Sequence, residues 1–197
     1  MKEKVILTDV DGVLLDWAFA FGQWMKRHGY AIDPEEADNY LMHKVYGIEH
    51  AEAKRLIRMF NESAWIRKLP PFRDAIHYVK KLHQEHGYIF HAITSLSNDQ
   101  YAQHLRTKNL REMFGDTVFE EYVYLDTGAD KDQVLEPYRD SGCLWIEDKP
   151  ENAQEGARQG LTSVIMDHNH NASFNNDAEN IYRVRNWREI YGLIFSL

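Results

Sequence analysis

Asp9 and Asp11 stand two residues apart in "ILTDVDGVLLDW" (residues 6 to 17), directly after an apolar run and directly before Gly12. Two carboxylates this close repel. A like-charge pair about 4 Å apart costs about 4 kcal/mol at an effective dielectric of about 20. Such a pair therefore needs a cation. Glu147 and Asp148 follow a second apolar run, "CLWI", and Thr94 and Ser95 follow a third, "YIFHAI". Lys131 lies in "GADKDQ", where Asp130 reads as a helix cap with Gln133 at the third position. Carboxylates, hydroxyls and a lysine at run ends are the makings of a site for an anion and a hard cation.

The runs themselves are short: 5 to 7, 88 to 93, 118 to 125, 143 to 146 and 162 to 166. The first and fourth are apolar at every position, as strands covered on both faces are. Between them, Phe72, Ile76, Val79 and Leu82 repeat at helical spacing and stop at Gly87. Residues 98 to 113 read as a helix capped by Ser97, and 150 to 159 as a helix ending at Gly160. Alternation of this kind predicts an α/β fold: a Rossmann-like, three-layer α/β/α core around a parallel sheet. Residues 14 to 70 do not alternate. A helix through Phe19, Phe21, Trp24 and Met25 ends at His28-Gly29. Asp33-Pro34-Glu35-Glu36 looks like the start of another, and 49 to 62 like a third. This predicts a helical cap over 14–70 inserted into a core formed by 1–13 and 71–197.

In a doubly wound sheet, ligands sit beyond the C-terminal strand ends. Asp9, Thr94, Ser95, Glu147 and Asp148 would share that edge. Asp9, Asp11 and Asp148 make an oxygen-rich pocket suited to Mg²⁺, which binds through a few carboxylates and substrate phosphate. With the metal and Lys131, the pocket can accept a phosphate dianion. Asp9 could attack phosphorus. Asp11 could protonate the leaving oxygen and later activate water.

"DVDGV" after a strand, Thr94 at the end of the next, Lys131, then "EDKPEN" after another strand resemble the four motifs of the haloacid dehalogenase superfamily. The likeness spans the chain, and residues 14 to 70 match that superfamily's helical cap. It implies a phosphatase with Asp9 as nucleophile and Asp11 as acid/base. The Asp11 carbonyl and the Asp148 carboxylate would bind Mg²⁺, and Thr94 and Lys131 the phosphoryl group. "DVDGVLLDW", "ITS", "WIEDKPEN" and "RVRNWREI" further resemble the 5′(3′)-deoxyribonucleotidase-like branch, which commonly has two aspartates where this chain has Glu147-Asp148. Arg106 or Lys108 could share or replace the role of Lys131. Trp17, at the entry to the cap, could face the substrate, with Ser95 at the phosphate end. Glu147 reads as a supporting or surface carboxylate. Asn152 either supports the metal through water or only begins a helix.

The substrate class is then a small phosphorylated metabolite, with a nucleoside monophosphate as one reading and a sugar phosphate or phosphoglycolate as another. A halide leaving group needs no proton, so dehalogenation would leave Asp11 idle. A fold retained only for binding is the reading from another class. The net charge of −8 and the lack of a basic run argue against a nucleic-acid polymer. No apolar stretch nears the ~20 residues of a membrane span, and "MKEKVILTD" enters a strand at once, unlike a secretory signal. A lone cysteine, Cys143, reads as buried core and suits a reducing, cytoplasmic setting. His168 and His170 in "DHNHN", and Arg55, Arg58 and Arg67, read as solvent-facing.

Overall fold

The computed structural model describes residues 4–175 and 180–196. Six parallel strands form one sheet in the order β3-β2-β1-β4-β5-β6. They are β1 (Val5–Thr8), β2 (Ile89–Ser95), β3 (Phe119–Leu125), β4 (Leu144–Glu147), β5 (Thr162–Met166) and β6 (Ile181–Val184). β1 is central and buried on both sides. Ile6 packs into one apolar cluster with Phe90, Ile146 and Trp187, and Leu7 into a second with Ile93 and Trp145. That is why this strand carries no polar alternation. Each such side chain contributes about 1.5–3 kcal/mol.

Helices flank the sheet. α4 (Ala75–His86) packs beside α5 (Gln100–Phe114) and α8 (Trp187–Ile194), and α7 (Pro150–Arg158) beside the short α6 (Asp132–Leu135). β1 leads through α4 to β2 on one side, whereas β3 leads back past β1 to β4. Right-handed crossovers then place α4 and α7 on opposite faces. The strand order reverses beside β1, which opens a crevice at the C-terminal ends of β1 and β4.

Between β1 and α4 lie α1 (Trp17–Arg27), α2 (Met42–Val45), α3 (His50–Asn61) and a 3₁₀ turn, Ala64–Lys68. The two strands of chain that join this insertion to the sheet run side by side. Asp16 N–H donates to Pro70 O at 2.9 Å, and Phe72 N–H to Leu14 O at 2.8 Å. Phe21, Trp24, Met25 and Phe60 of the insertion belong to the same apolar cluster as Leu14, Leu69 and Phe72, so its core runs on into that of the sheet.

Several local expectations are corrected. No helix starts at Asp33. Its carboxylate accepts the Glu35 N–H at 3.0 Å in a turn, and residues 31–38 are mostly exposed. A capped start with no apolar face to bury is not stable alone. Asp99, not Ser97, caps α5 by accepting from Ala102 N–H at 2.7 Å. Ser97 Oγ donates instead to Glu62 at 2.7 Å. Lys131, not Asp130, precedes α6. β6 and α8, unmarked in the sequence reading, complete the sheet and cover Phe90 with Trp187. Cys143 is only partly buried, against the Leu7–Trp145 cluster. Among the described residues no helix is long and apolar enough to cross a membrane.

Candidate active site

Asp9 ends β1. Its N–H donates to Ile146 O on β4 at 2.8 Å, and its Oδ1 accepts the Val10 N–H at 2.7 Å. The first bond fixes the main chain at Asp9 and the second its carboxylate. After it the chain turns sharply, with Leu14 and Leu15 N–H both reaching Val10 O at 2.9 Å. Gly12 sits in this turn at φ +76°, and a Cβ there would collide with the Asp148 carboxylate. Positive φ and close approach both demand glycine. Asp11, Gly12 and Asp148 are therefore one packing problem, although more than 130 residues of chain separate them.

Lys131 Nζ lies 2.8 Å from Asp9 Oδ1 and 2.7 Å from Glu147 Oε2, with its side chain only 2% exposed. Glu147 is fully buried, and its other oxygen accepts the N–H groups of Asp148 (3.2 Å) and Lys149 (3.1 Å). Burial disfavours the Glu147 charge, but Lys131 and those N–H groups outweigh it and hold its pKa below the usual range. Burial likewise opposes the Lys131 charge, and Asp9 and Glu147 more than offset it. Asp9 and Asp148 are pushed the other way, upward, by burial first and then by Glu147.

One carboxylate oxygen from each of Asp9, Glu147 and Asp148 falls within 4.8 Å of the others. The chemistry of this set suits a hard divalent cation. Two buried carboxylates and a partly buried one cluster beside one ammonium, and another positive charge would relieve the excess. Both close partners of Asp9 fall on Oδ1, so Oδ2 is the oxygen left to act. Thr94 supplies a third feature: it is 1% exposed, and its Oγ1 has no hydrogen-bond partner. A buried hydroxyl left unpaired costs free energy unless a ligand completes it.

The Asp11 carboxylate is not part of the acidic cluster. It turns to Arg106, whose Nη1 and Nη2 lie at 2.6 and 3.3 Å. Only the Asp11 backbone carbonyl remains for the metal role that the resemblance implies. Arg106 is fully buried on α5, and its Nε has no partner. The signal was available: Ala102, Leu105, Asn109 and Leu110 are buried at helical spacing, and Arg106 shares their face. Lys108 is exposed. Ser95 Oγ donates to Ala129 O at 2.7 Å, tying the end of β2 to the loop that carries Lys131. Asn152 is buried in α7, and its carbonyl accepts the Trp145 indole N–H at 3.1 Å.

Trp17 packs within the insertion. Its ring stacks on Phe21 (centroids 4.6 Å apart, 15° between planes) and meets Phe60 at an edge. Its Nε1–H donates to Asn61 at 2.9 Å, and Asn61 donates to Leu96 O at 2.9 Å, two residues beyond Thr94. The "DHNHN" loop is not solvent-facing as expected. His168 Nε2–H donates to Gly12 O at 2.7 Å and its ring stacks on Phe72. His170 Nε2 is 3.6 Å from Asp148 Oδ2. Asn171 donates to Asp148 O at 2.7 Å. Arg55 and Arg58 are exposed as expected, paired with Glu52 and Asp126; Arg67, paired with Glu112, is partly covered.

A haloacid dehalogenase-like hydrolase from Streptococcus pneumoniae superposes over 98% of this chain and 99% of its own (TM-score 0.67, 15% identity). The HAD-hydrolase YfnB from Bacillus subtilis, bound to magnesium, does so over 99% and 100% (TM-score 0.62, 17% identity). These likenesses place the fold in the haloacid dehalogenase class. The family model described as 5′ nucleotidase, deoxy (pyrimidine), cytosolic type C, matches residues 3–197, and the chain belongs to that family. It is a phosphatase of the haloacid dehalogenase superfamily. A 32.4 kDa protein from the Gp30–rIII intergenic region of Enterobacteria phage T4 is 21% identical over 201 residues, covering 98% of this chain and 70% of its own.

Proposed function

We propose that this chain is a Mg²⁺-dependent phosphomonoesterase that works through an aspartyl-phosphate on Asp9 and prefers nucleoside monophosphates, deoxynucleotides above all. The observation that carries the reading is the crevice beside β1. Asp9 has one oxygen tied to Lys131 and one left over, and Thr94 on the paired strand β2 keeps a buried hydroxyl with no partner. Mg²⁺ held by the carboxylates of Asp9 and Asp148, and by the Asp11 carbonyl, would neutralise charge on the phosphoryl oxygens.

Asp9 Oδ2 attacks phosphorus as the bond to the ester oxygen breaks, and Asp11, protonated and turned from Arg106 toward the substrate, delivers its proton to that leaving oxygen. Water then attacks the aspartyl-phosphate, with Asp11 taking back a proton. Lys131 and the Thr94 hydroxyl donate to the phosphoryl oxygens throughout. Arg106, paired with Asp11 and with a free Nε–H, is the second cation of this reading. Residues 14–70 act as a cap on the 1–13 and 71–197 core, and Trp17 offers a base the part of its ring that Phe21 and Phe60 leave open. The preference for nucleotides and the cytosolic setting rest on the family match.

The test is phosphate release from deoxynucleotides, ribonucleotides, sugar phosphates, phosphoglycolate and p-nitrophenyl phosphate, with Mg²⁺ and with EDTA. The expected result is a metal-dependent reaction with kcat/KM highest for a deoxynucleotide. A tenfold preference for a non-nucleotide would overturn the substrate class. Full activity in chelated enzyme would overturn the metal.

A further inference from the structure

The chain between α1 and α2 meets the loop that follows β5. Asp38 Oδ1 accepts a hydrogen bond from Asn169 Nδ2 at 2.7 Å. Two residues on, the Tyr40 ring packs against His170, with centroids 5.1 Å apart and planes at 56°. His170 is the residue whose Nε2 lies 3.6 Å from Asp148 Oδ2. The insertion is thus fastened to the core loop 168–171, and that loop borders the acidic cluster.

Tyr40 is 48% exposed, a large residue left half open at the rim of the site. Its hydroxyl end is different from its flank. Burial there, and then the charges of Asp148, Glu147 and Asp9, push the phenol above the usual tyrosine range. The phenol is a neutral O–H donor whose ring packs on His170, and His170 in turn lies beside Asp148. Nothing in the chemistry of Asp9, Asp11, Thr94 or Lys131 uses it. Every contact to the phosphoryl group derived so far comes from the core, whereas Tyr40 comes from the insertion.

We propose that Tyr40 contacts substrate: clasped in place by Asp38–Asn169 and by its own packing on His170, it donates its hydroxyl to a phosphoryl oxygen of the bound ester. The contact exists only while the insertion is docked on the core. The phosphoryl group is therefore read from both sides, by Thr94 and Lys131 from the sheet and by Tyr40 from the insertion. This rests on the phosphatase chemistry above and not on the nature of the alcohol. A donor to the phosphoryl group acts on every ester alike.

The experiment compares wild type with Tyr40→Phe and Asn169→Ala. Each is assayed on p-nitrophenyl phosphate and on a deoxynucleotide, and inorganic phosphate binding with Mg²⁺ is measured by calorimetry. Tyr40→Phe, which keeps the ring on His170, should lower kcat/KM about tenfold for both esters and weaken phosphate binding by a similar factor. Asn169→Ala should do the same to a lesser degree, and add nothing in the Tyr40→Phe background. Phosphate affinity within twofold of wild type in Tyr40→Phe overturns the contact, and a loss confined to one ester reassigns the hydroxyl to the leaving group. If wild type hydrolyses no ester, the phosphatase chemistry itself fails, and the calorimetric comparison still decides whether Tyr40 touches phosphate.

Discussion

Asp9 is held by its own backbone N–H on β4, by Val10 N–H and by Lys131, and is 7% exposed. Trp17 is held by Phe21, Phe60 and one hydrogen bond to Asn61, all within the insertion. The sheet edge places its groups through strand backbone, a short and stiff path. The insertion places its groups through side-chain packing and a few polar contacts with the core, such as Asn61 to Leu96 and Asn169 to Asp38. Reaction chemistry needs atoms fixed to fractions of an ångström, which suits the first arrangement. Recognition of a variable alcohol suits the second, which can adjust without disturbing the nucleophile.

That division can be broken or sharpened by substitution. The largest effect belongs to Asp9→Asn. The amide is a poor nucleophile of the same shape, so kcat should fall at least ~10³-fold with Tm little changed. A variant keeping a tenth of the activity would remove the aspartyl-phosphate. Next, Lys131→Met leaves two buried carboxylates without their cation, a loss of about 3–5 kcal/mol in denaturant unfolding and of turnover as well. Adding Glu147→Gln should recover most of that stability and none of the activity. Recovered turnover would mean that Lys131 serves the fold alone.

On the insertion side, Trp17→Ala should raise KM for nucleotides about tenfold, from a stacking contribution of about 1–3 kcal/mol, and leave p-nitrophenyl phosphate within twofold. Equal changes for both would show a ring that merely supports the insertion. The smallest effect concerns the loop that joins the two regions. Burial, opposed in part by the bond to Gly12, pushes His168 down to about 4. An unfolded chain binds that proton near pH 6.5 and the folded one does not, so stability falls as pH drops from about 6.5 to about 4. In metal-free protein, His168→Gln should flatten this slope by about 1–2 kcal/mol after allowance for partial exposure. An unchanged slope would place the His168 ring in water.

Much of the molecule follows from local pattern. Continuous apolar runs mark β1 and β4 because both faces are covered, and Gly87 and Gly160 end helices because each takes up positive φ. Asp9, Thr94, Lys131 and Asp148 could be grouped from sequence because strand ends in a parallel sheet must share an edge. What the sequence could not reveal is which partner each charge chooses. Glu147 reads as a spare carboxylate until its burial makes it the anchor of Lys131. Asp11 reads as a companion of Asp9 until Arg106, 95 residues later, draws its carboxylate away. Tyr40, His168 and His170 carry no motif, and only the return of two loops brings His168 to Gly12, His170 to Asp148 and Tyr40 to His170. Periodicity is written in neighbouring residues; the pairing of buried charges depends on distances that exist only once the chain has closed on itself.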